Sequence, residues 1–117
     1  MAVNLFIWYP KCSTCQKAYQ VLKEKNILVE TRDIKENNPT EEEIKNWLNI
    51  YQIPIKKLFN TSGNLYKELH LKDRFGDMSL EEQITLLSSN GMLVKRPLLF
   101  INDQLIIGFD RKAYDLL

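Results

Sequence analysis

The stretch Val3-Asn4-Leu5-Phe6-Ile7-Trp8-Tyr9-Pro10-Lys11-Cys12-Ser13-Thr14-Cys15-Gln16-Lys17-Ala18 decides the fold. Val3 to Trp8 is a short apolar run rich in strand formers and closed by Pro10, which predicts a buried β-strand. From Cys15 to about Lys25, Ala18, Val21 and Leu22 keep helical spacing with Tyr19, while Lys17, Gln20, Lys23 and Glu24 can face water. A helix that stops near Asn26 follows. The two elements meet at Cys12-Ser13-Thr14-Cys15, and these are the chain's two cysteines.

A C-x-x-C at the mouth of a strand-to-helix turn reads as a redox dithiol in an intracellular protein. Residues three apart on a helical turn have Cα atoms roughly 5–6 Å apart, the separation a disulfide prefers. The helix start adds unpaired backbone N–H groups and the positive end of the macrodipole, which favour a thiolate, and Lys11 adds a positive charge beside them. Cys12, nearest the strand end, is the candidate nucleophile, and Cys15, one turn in, the candidate resolving thiol. Two other readings of the pair stay open. A structural zinc site needs four ligands, and the single histidine, His70, is the one further nitrogen ligand, far away in sequence. Two inert cysteines would pack as small hydrophobes, although Lys11, Ser13 and Thr14 make a polar setting.

Working outward, Ile27 to Ile34 alternates loosely and predicts a second strand, parallel to the first. Beyond Asn37-Asn38-Pro39, Thr40 and Glu43 form a capping box, with Ile44, Trp47, Leu48 and Tyr51 on one helical stripe that ends before Pro54. Ser79 and Glu82 form a second box, Ile84 and Leu87 continue its stripe, and Asn90-Gly91 is expected to supply a left-handed stop. Residues 36 to 92 thus read as a helical insertion, within which Lys56 to Gly63 is expected to be a polar surface loop. Pro97 to Ile101 predicts a third strand, Asn102-Asp103-Gln104 a tight turn, and Leu105 to Gly108 an antiparallel partner. Asp110 is placed to cap a short final helix carrying Ala113, Tyr114, Leu116 and Leu117. The fold class is α/β: a thioredoxin-like β-α-β unit followed by a β-hairpin and helix, a mixed sheet with a helical insertion, in a single domain over residues 1–117.

The 117 residues suit one domain, which at this size buries about 65% of its unfolded surface. A formal net charge of +1 and a pI near 7.7 give no footprint for direct nucleic-acid binding or for a membrane face. The N-terminus carries no basic flank or cleavage signature, and no later run approaches membrane-spanning length. A cytoplasmic protein is expected, where a stable structural disulfide is uncommon and a C-x-x-C is catalytic or sensing.

Tyr9-Pro10-Lys11-Cys12-Ser13-Thr14-Cys15-Gln16-Lys17-Ala18, the helical block, Lys95-Arg96-Pro97 and the closing Gly108-Phe109 resemble the arsenate reductase/Spx family of thioredoxin-fold proteins, over nearly the whole chain and in order. The likeness is strongest to its arsenate-reductase-like branch. The resemblance implies that Cys12 is the nucleophile and that the peptide before Pro97 is cis and packs beside the cysteine loop. It also implies that the Arg96 guanidinium lies near Cys12, where it could bind an oxyanion such as arsenate through two parallel hydrogen bonds and hold a neighbouring thiolate ionised. Without the resemblance, Arg96 can also be read as a surface arginine paired with a carboxylate.

This chain departs from the pattern in places. Members that reduce arsenate with glutathione and glutaredoxin surround the anion with three arginines. Here Arg96 matches one, Asn60 stands where another would be, and after Gly108 the chain reads Phe109-Asp110, so that the third is either missing or displaced to Arg111. A histidine before the loop is replaced by Trp8 or Tyr9, which read either as core residues or as a wall of the pocket. Cys15 is present where those members often lack it, which favours an intramolecular disulfide as product, and Ser13 and Thr14 are expected to tune its potential through hydrogen bonds to sulfur. The expectation is a monomeric thiol-disulfide oxidoreductase with no bound cofactor or metal, regenerated by thioredoxin or by glutaredoxin with glutathione. The alternative is an Spx-like redox-switch transcription regulator that binds the C-terminal domain of the RNA polymerase α-subunit. The end at Leu117, without a basic extension, argues for the reductase.

Overall fold

A computed structural model describes residues 4–117, so Val3 of the first predicted strand lies outside the described residues. In chain order the elements are β1 (Leu5–Trp8), α1 (Ser13–Glu24), β2 (Glu30–Asp33), α2 (Glu41–Tyr51), α3 (Asn64–Glu68), α4 (Leu71–Arg74), α5 (Leu80–Ser89), β3 (Leu98–Ile101), β4 (Gln104–Ile107) and α6 (Arg111–Asp115), with short 3-10 turns at Ile55–Leu58, Phe75–Asp77 and Gly91–Leu93. They divide into two compact units: the chain up to Asp33 together with Arg96–Leu117, and Ile34–Lys95.

The first unit is a four-stranded sheet of order β2-β1-β3-β4, with β1 and β2 parallel and the other pairs antiparallel. This is the mixed, thioredoxin-like sheet the sequence predicts. Pairing sets Phe6 opposite Leu99 and Leu99 opposite Ile106, so one face carries a continuous apolar row. Ala18 and Leu22 of α1 and Tyr114 of α6 close over that row in a single buried cluster. Alternation turns the paired Ile7 and Leu98 to the opposite face, where both are also fully buried.

Local signals explain the boundaries. Asn26 takes the left-handed conformation (φ 58°) after α1, its N–H bonding to Lys23 O and that of Ile27 to Leu22 O, a Schellman stop. Residues 27–29 are therefore spent leaving the helix, and β2 begins only at Glu30, whose N–H reaches Asn4 O at 2.8 Å. The predicted strand from Ile27 is thus shortened, and Leu28 is exposed. The hairpin turn is two residues, Asn102 and Asp103, both at positive φ, and Gln104 already pairs with Ile101. Asp110 caps α6 by accepting from Ala113 N–H at 3.2 Å. The lysine ammonium of Lys25 then ties the α1 end to the carbonyls of Asp115 and Leu117 at 3.2 and 3.3 Å. Tyr114 is buried, whereas Leu116 faces solvent.

In the second unit both predicted capping boxes form, Thr40 with Glu43 on α2 and Ser79 with Glu82 on α5. α2 and α5 run antiparallel, with Thr85 Oγ1 donating to Glu41 Oε1 at 2.6 Å and Lys45 paired with Glu81 at 3.5 Å. Two expectations fail here. Asn90 is extended (φ −158°) and Gly91 opens a 3-10 turn, so neither supplies a left-handed stop. Glycine is needed at 91 for space, because a Cβ there would lie 1.9 Å from the Ile34 carbonyl oxygen. Nor is Lys56–Gly63 simply a surface loop: Leu58 and Phe59 are buried, Phe59 bridges to Val94, and its ring meets Phe75 edge-on at 5.3 Å. The spacing Ile55, Leu58, Phe59 is one helical turn of apolar positions hidden among lysines.

Candidate active site

The site grows from the β1–α1 junction. β1 ends at Trp8, and Tyr9-Pro10-Lys11 turns the chain so that the Cys12 N–H returns to Tyr9 O at 2.9 Å. The Gln16 side chain, one turn along α1, holds the loop by donating to Pro10 O at 2.8 Å. Cys12 is the N-cap residue of α1, with extended backbone (φ −87°, ψ 123°), so its sulfur stands among the first, unpaired N–H groups of the helix. Ser13 is the first helical residue, and Cys15 falls one turn in.

The two thiols, both free, sit in opposite environments. Cys12 is half-buried and Cys15 is 0% exposed. Partial burial pushes the Cys12 thiol up, but more acts the other way: the Cys15 N–H, the Cys15 thiol, the Thr14 N–H and the Arg96 guanidinium together bring it below its ordinary value. The side chain closes no conventional cap, so these groups act on the sulfur as an electrostatic cradle. Cys15 is pushed up to about 12, first by burial and then by the charge of Cys12 and the hydrogen bond it gives to that sulfur, against a lowering contact from the Tyr9 backbone. The surroundings thus shift one sulfur toward the thiolate and the other toward the thiol.

Arg96 is brought to the cysteines by the chain entering β3, where the Arg96-Pro97 peptide is cis. Its guanidinium lies 5.6 Å from the centroid of the Tyr9 ring and lowers both thiols. The expected neighbourhood of Cys12 and Arg96 is therefore present. Trp8 and Tyr9 have different roles: Trp8 packs at the core margin against Phe6 (5.6 Å) and Tyr19 (4.8 Å), whereas Tyr9 is half-buried under Arg96 as a wall of the site. The side chains of Lys11, Ser13 and Thr14 are exposed, and it is the backbone N–H of Thr14 that acts on Cys12. Asn60 belongs to the helical unit, in a turn closed by Gly63 N–H to Asn60 O at 3.1 Å, its side-chain oxygen accepting from Ser62 Oγ at 3.4 Å. Arg111 opens α6 with its guanidinium 5.3 Å from the Phe109 ring.

Two residues of the site escape sequence reasoning. Tyr9 reads from sequence as either core or pocket, and only its position directly before the motif hints at the contact. Tyr114, which the sequence places only on the final helix, is core; its fully buried hydroxyl has no hydrogen-bond partner among the described residues, and burial, then the charge of Cys15, raises it. Among the described residues no three of His, Cys, Asp and Glu gather as metal ligands would, and no helix is long and apolar enough to cross a membrane.

Known proteins place the chain in a family. The chain is 42% identical over 110 residues to the uncharacterized protein YusI of Bacillus subtilis (strain 168), covering 94% of this chain and 93% of the other. It is 31% identical over 105 residues to the regulatory protein MgsR of the same organism, covering 90% and 82%. Among solved structures it matches the crystal structure of a possible arsenate reductase from Streptococcus mutans UA159 at 43% identity and a TM-score of 0.86, over 99% of this chain and 98% of that one. The ArsC family model matches residues 7–117, from the middle of β1 through the dithiol and Arg96 to the last residue, and the chain belongs to the ArsC family.

Proposed function

We propose that the protein is a thiol-disulfide oxidoreductase of the arsenate-reductase-like kind, with Cys12 as nucleophile and Cys15 as resolving thiol. The observation that carries the reading is the split between the two sulfurs, Cys12 lowered at the start of α1 and Cys15 raised in the core beneath it. The Cys12 thiolate attacks a disulfide sulfur, forming a mixed disulfide and releasing one thiolate, which takes up a proton. With a bound oxyanion such as arsenate it attacks the central atom instead and displaces hydroxide. Cys15 then loses its proton and attacks the Cys12 sulfur, expelling the second thiolate, or arsenite, and leaving a Cys12–Cys15 disulfide. Two electrons pass from the dithiol to the substrate, and thioredoxin, or glutaredoxin with glutathione, returns them.

The order of these steps follows from the same electrostatics. While Cys12 is an anion, its charge and the hydrogen bond it accepts keep the proton on Cys15. Once Cys12 is bonded to substrate both effects vanish, and Cys15 ionises more readily when its attack is due. Arg96 favours the anionic form of either sulfur, and the ArsC resemblance makes it the residue that would hold an oxyanion.

NADPH oxidation with arsenate, coupled in parallel to glutaredoxin plus glutathione and to thioredoxin plus its reductase, tests the reading in wild type and Cys12→Ser. Arsenate-dependent turnover lost in the variant supports the reductase. Full turnover in Cys12→Ser sinks it. The likeness to the regulatory protein MgsR favours a second reading, a regulator that turns nothing over; the resemblance to Spx implies a redox switch that binds the C-terminal domain of the RNA polymerase α-subunit. A pulldown with that domain in both redox forms decides it, and no capture in either form removes the switch.

A further inference from the structure

Tyr9 contacts both cysteines through its backbone and Arg96 through its ring. Its carbonyl accepts the Cys12 N–H at 2.9 Å, its backbone acts on the Cys15 sulfur, and its ring faces the Arg96 guanidinium at 5.6 Å. The backbone contacts belong to any residue at this position, but the ring contact needs an aromatic face. Arginine is a long side chain with about 2 kcal/mol of rotamer entropy, and its influence on a neighbouring thiolate falls as it swings into water. A planar guanidinium over a half-buried ring is held by cation–π attraction and stacking. We propose that Tyr9 is a positioning residue of the dithiol, its ring holding the Arg96 guanidinium beside Cys12 and Cys15 while its peptide fixes the two cysteines. The proposal rests on the reading of Cys12 as the activated thiol, and it assigns the side chain before the motif to the electrostatics of that thiol. The ring face is what matters, not the phenol hydroxyl.

The test is the pH profile of Cys12 alkylation by iodoacetamide, read by mass spectrometry on the reduced full chain in wild type, Tyr9→Phe, Tyr9→Leu, Arg96→Met and Tyr9→Leu/Arg96→Met. The Tyr9→Leu midpoint should rise and its rate at pH 6 fall about three-fold, the size of one partly screened cation–π contact. Tyr9→Phe should keep the wild-type profile, and Tyr9→Leu should add nothing once Arg96 is gone. An equal shift with and without Arg96 would mean that the ring supports the loop in general and would overturn the proposal, as would an unmoved Tyr9→Leu profile. A wild-type midpoint no lower than an ordinary thiol's would remove the activated-thiol reading itself, and the proposal with it.

Discussion

Removing the nucleophile should make the buried thiol more reactive. In the reduced protein Cys15 is held up to about 12, with burial as the first cause and the Cys12 anion, through its charge and its hydrogen bond, adding to it. In Cys12→Ser the burial remains, but the anion is gone, so the Cys15 thiol should return part of the way toward its reference value of 9.0. Each unit of return raises the thiolate fraction about ten-fold at any pH well below the midpoint. Removing an adjacent like charge together with a hydrogen bond is expected to gain about one unit, so Cys15 alkylation by iodoacetamide at pH 8 should accelerate about ten-fold over wild type. Peptide mass spectrometry keeps the two sites apart, and Cys12→Ala checks that the serine hydroxyl is not responsible. A Cys15 rate that stays the same or falls in both variants would refute the account, because burial would then set the pKa alone and adduct formation at Cys12 could not trigger the resolving step.

Four other outcomes follow from the same structure. Arg96→Met should raise the Cys12 midpoint and slow alkylation below pH 7, with the Cys12 and Cys15 sulfurs both losing a stabilising cation. Reduced wild type should lose stability between pH 9.0 and about 12, since a raised acid stabilises the fold below its unfolded value and loses that contribution as pH climbs through its folded one. Cys15→Ala should flatten the part of that limb between pH 9.0 and 10 in urea titrations, above which the raised Tyr114 hydroxyl adds a loss of the same sign, while the Cys12 contribution, of opposite sign, fades only as pH falls below 9.0. Tyr114→Phe should raise Tm by about 4 °C in thermal scans, because it removes a hydroxyl buried without a partner at a cost of about 1 kcal/mol. Gly91→Ala should cost at least about 2 kcal/mol by urea denaturation and Gly91→Asn no less, as the added atom meets the Ile34 carbonyl. A milder asparagine would restore the left-handed reading, and Gly76→Ala, with open space around it, is the control.

What the sequence made legible was whatever rests on local chemistry. The capping boxes at Thr40 and Ser79, the Asn26 stop and the Asp110 cap are each a short-range contest between side chain and backbone, and each reads directly; the turn at Asn102-Asp103 reads one residue too long, to Gln104. The place of the cysteine pair at a helix start was legible for the same reason, since the pair and the junction lie within four consecutive residues. Failures cluster where a long-range contact decides. Gly91 carries the signature of a helix stop, yet it is glycine because a strand-exit carbonyl 57 positions earlier in the chain, that of Ile34, passes against it. Leu58 and Phe59 look like loop residues between lysines until Val94 and Phe75 cover them.

The same distinction separates Cys12 from Cys15. Spacing alone makes them equivalent members of a pair, and local reasoning ranks them only by distance from the strand end. Their real inequality comes from tertiary structure: Cys15 shares the inward stripe of α1 with Ala18 and Leu22, which the sheet and Tyr114 cover, while Cys12 caps the start of α1 and feels the Arg96 guanidinium, delivered from 84 positions along the chain. A dithiol whose two sulfurs had equal pKa values could react through either and would have no inherent order. In the proposed reaction, burial of one and cradling of the other would impose that order, with the C-x-x-C supplying the means to carry the steps out.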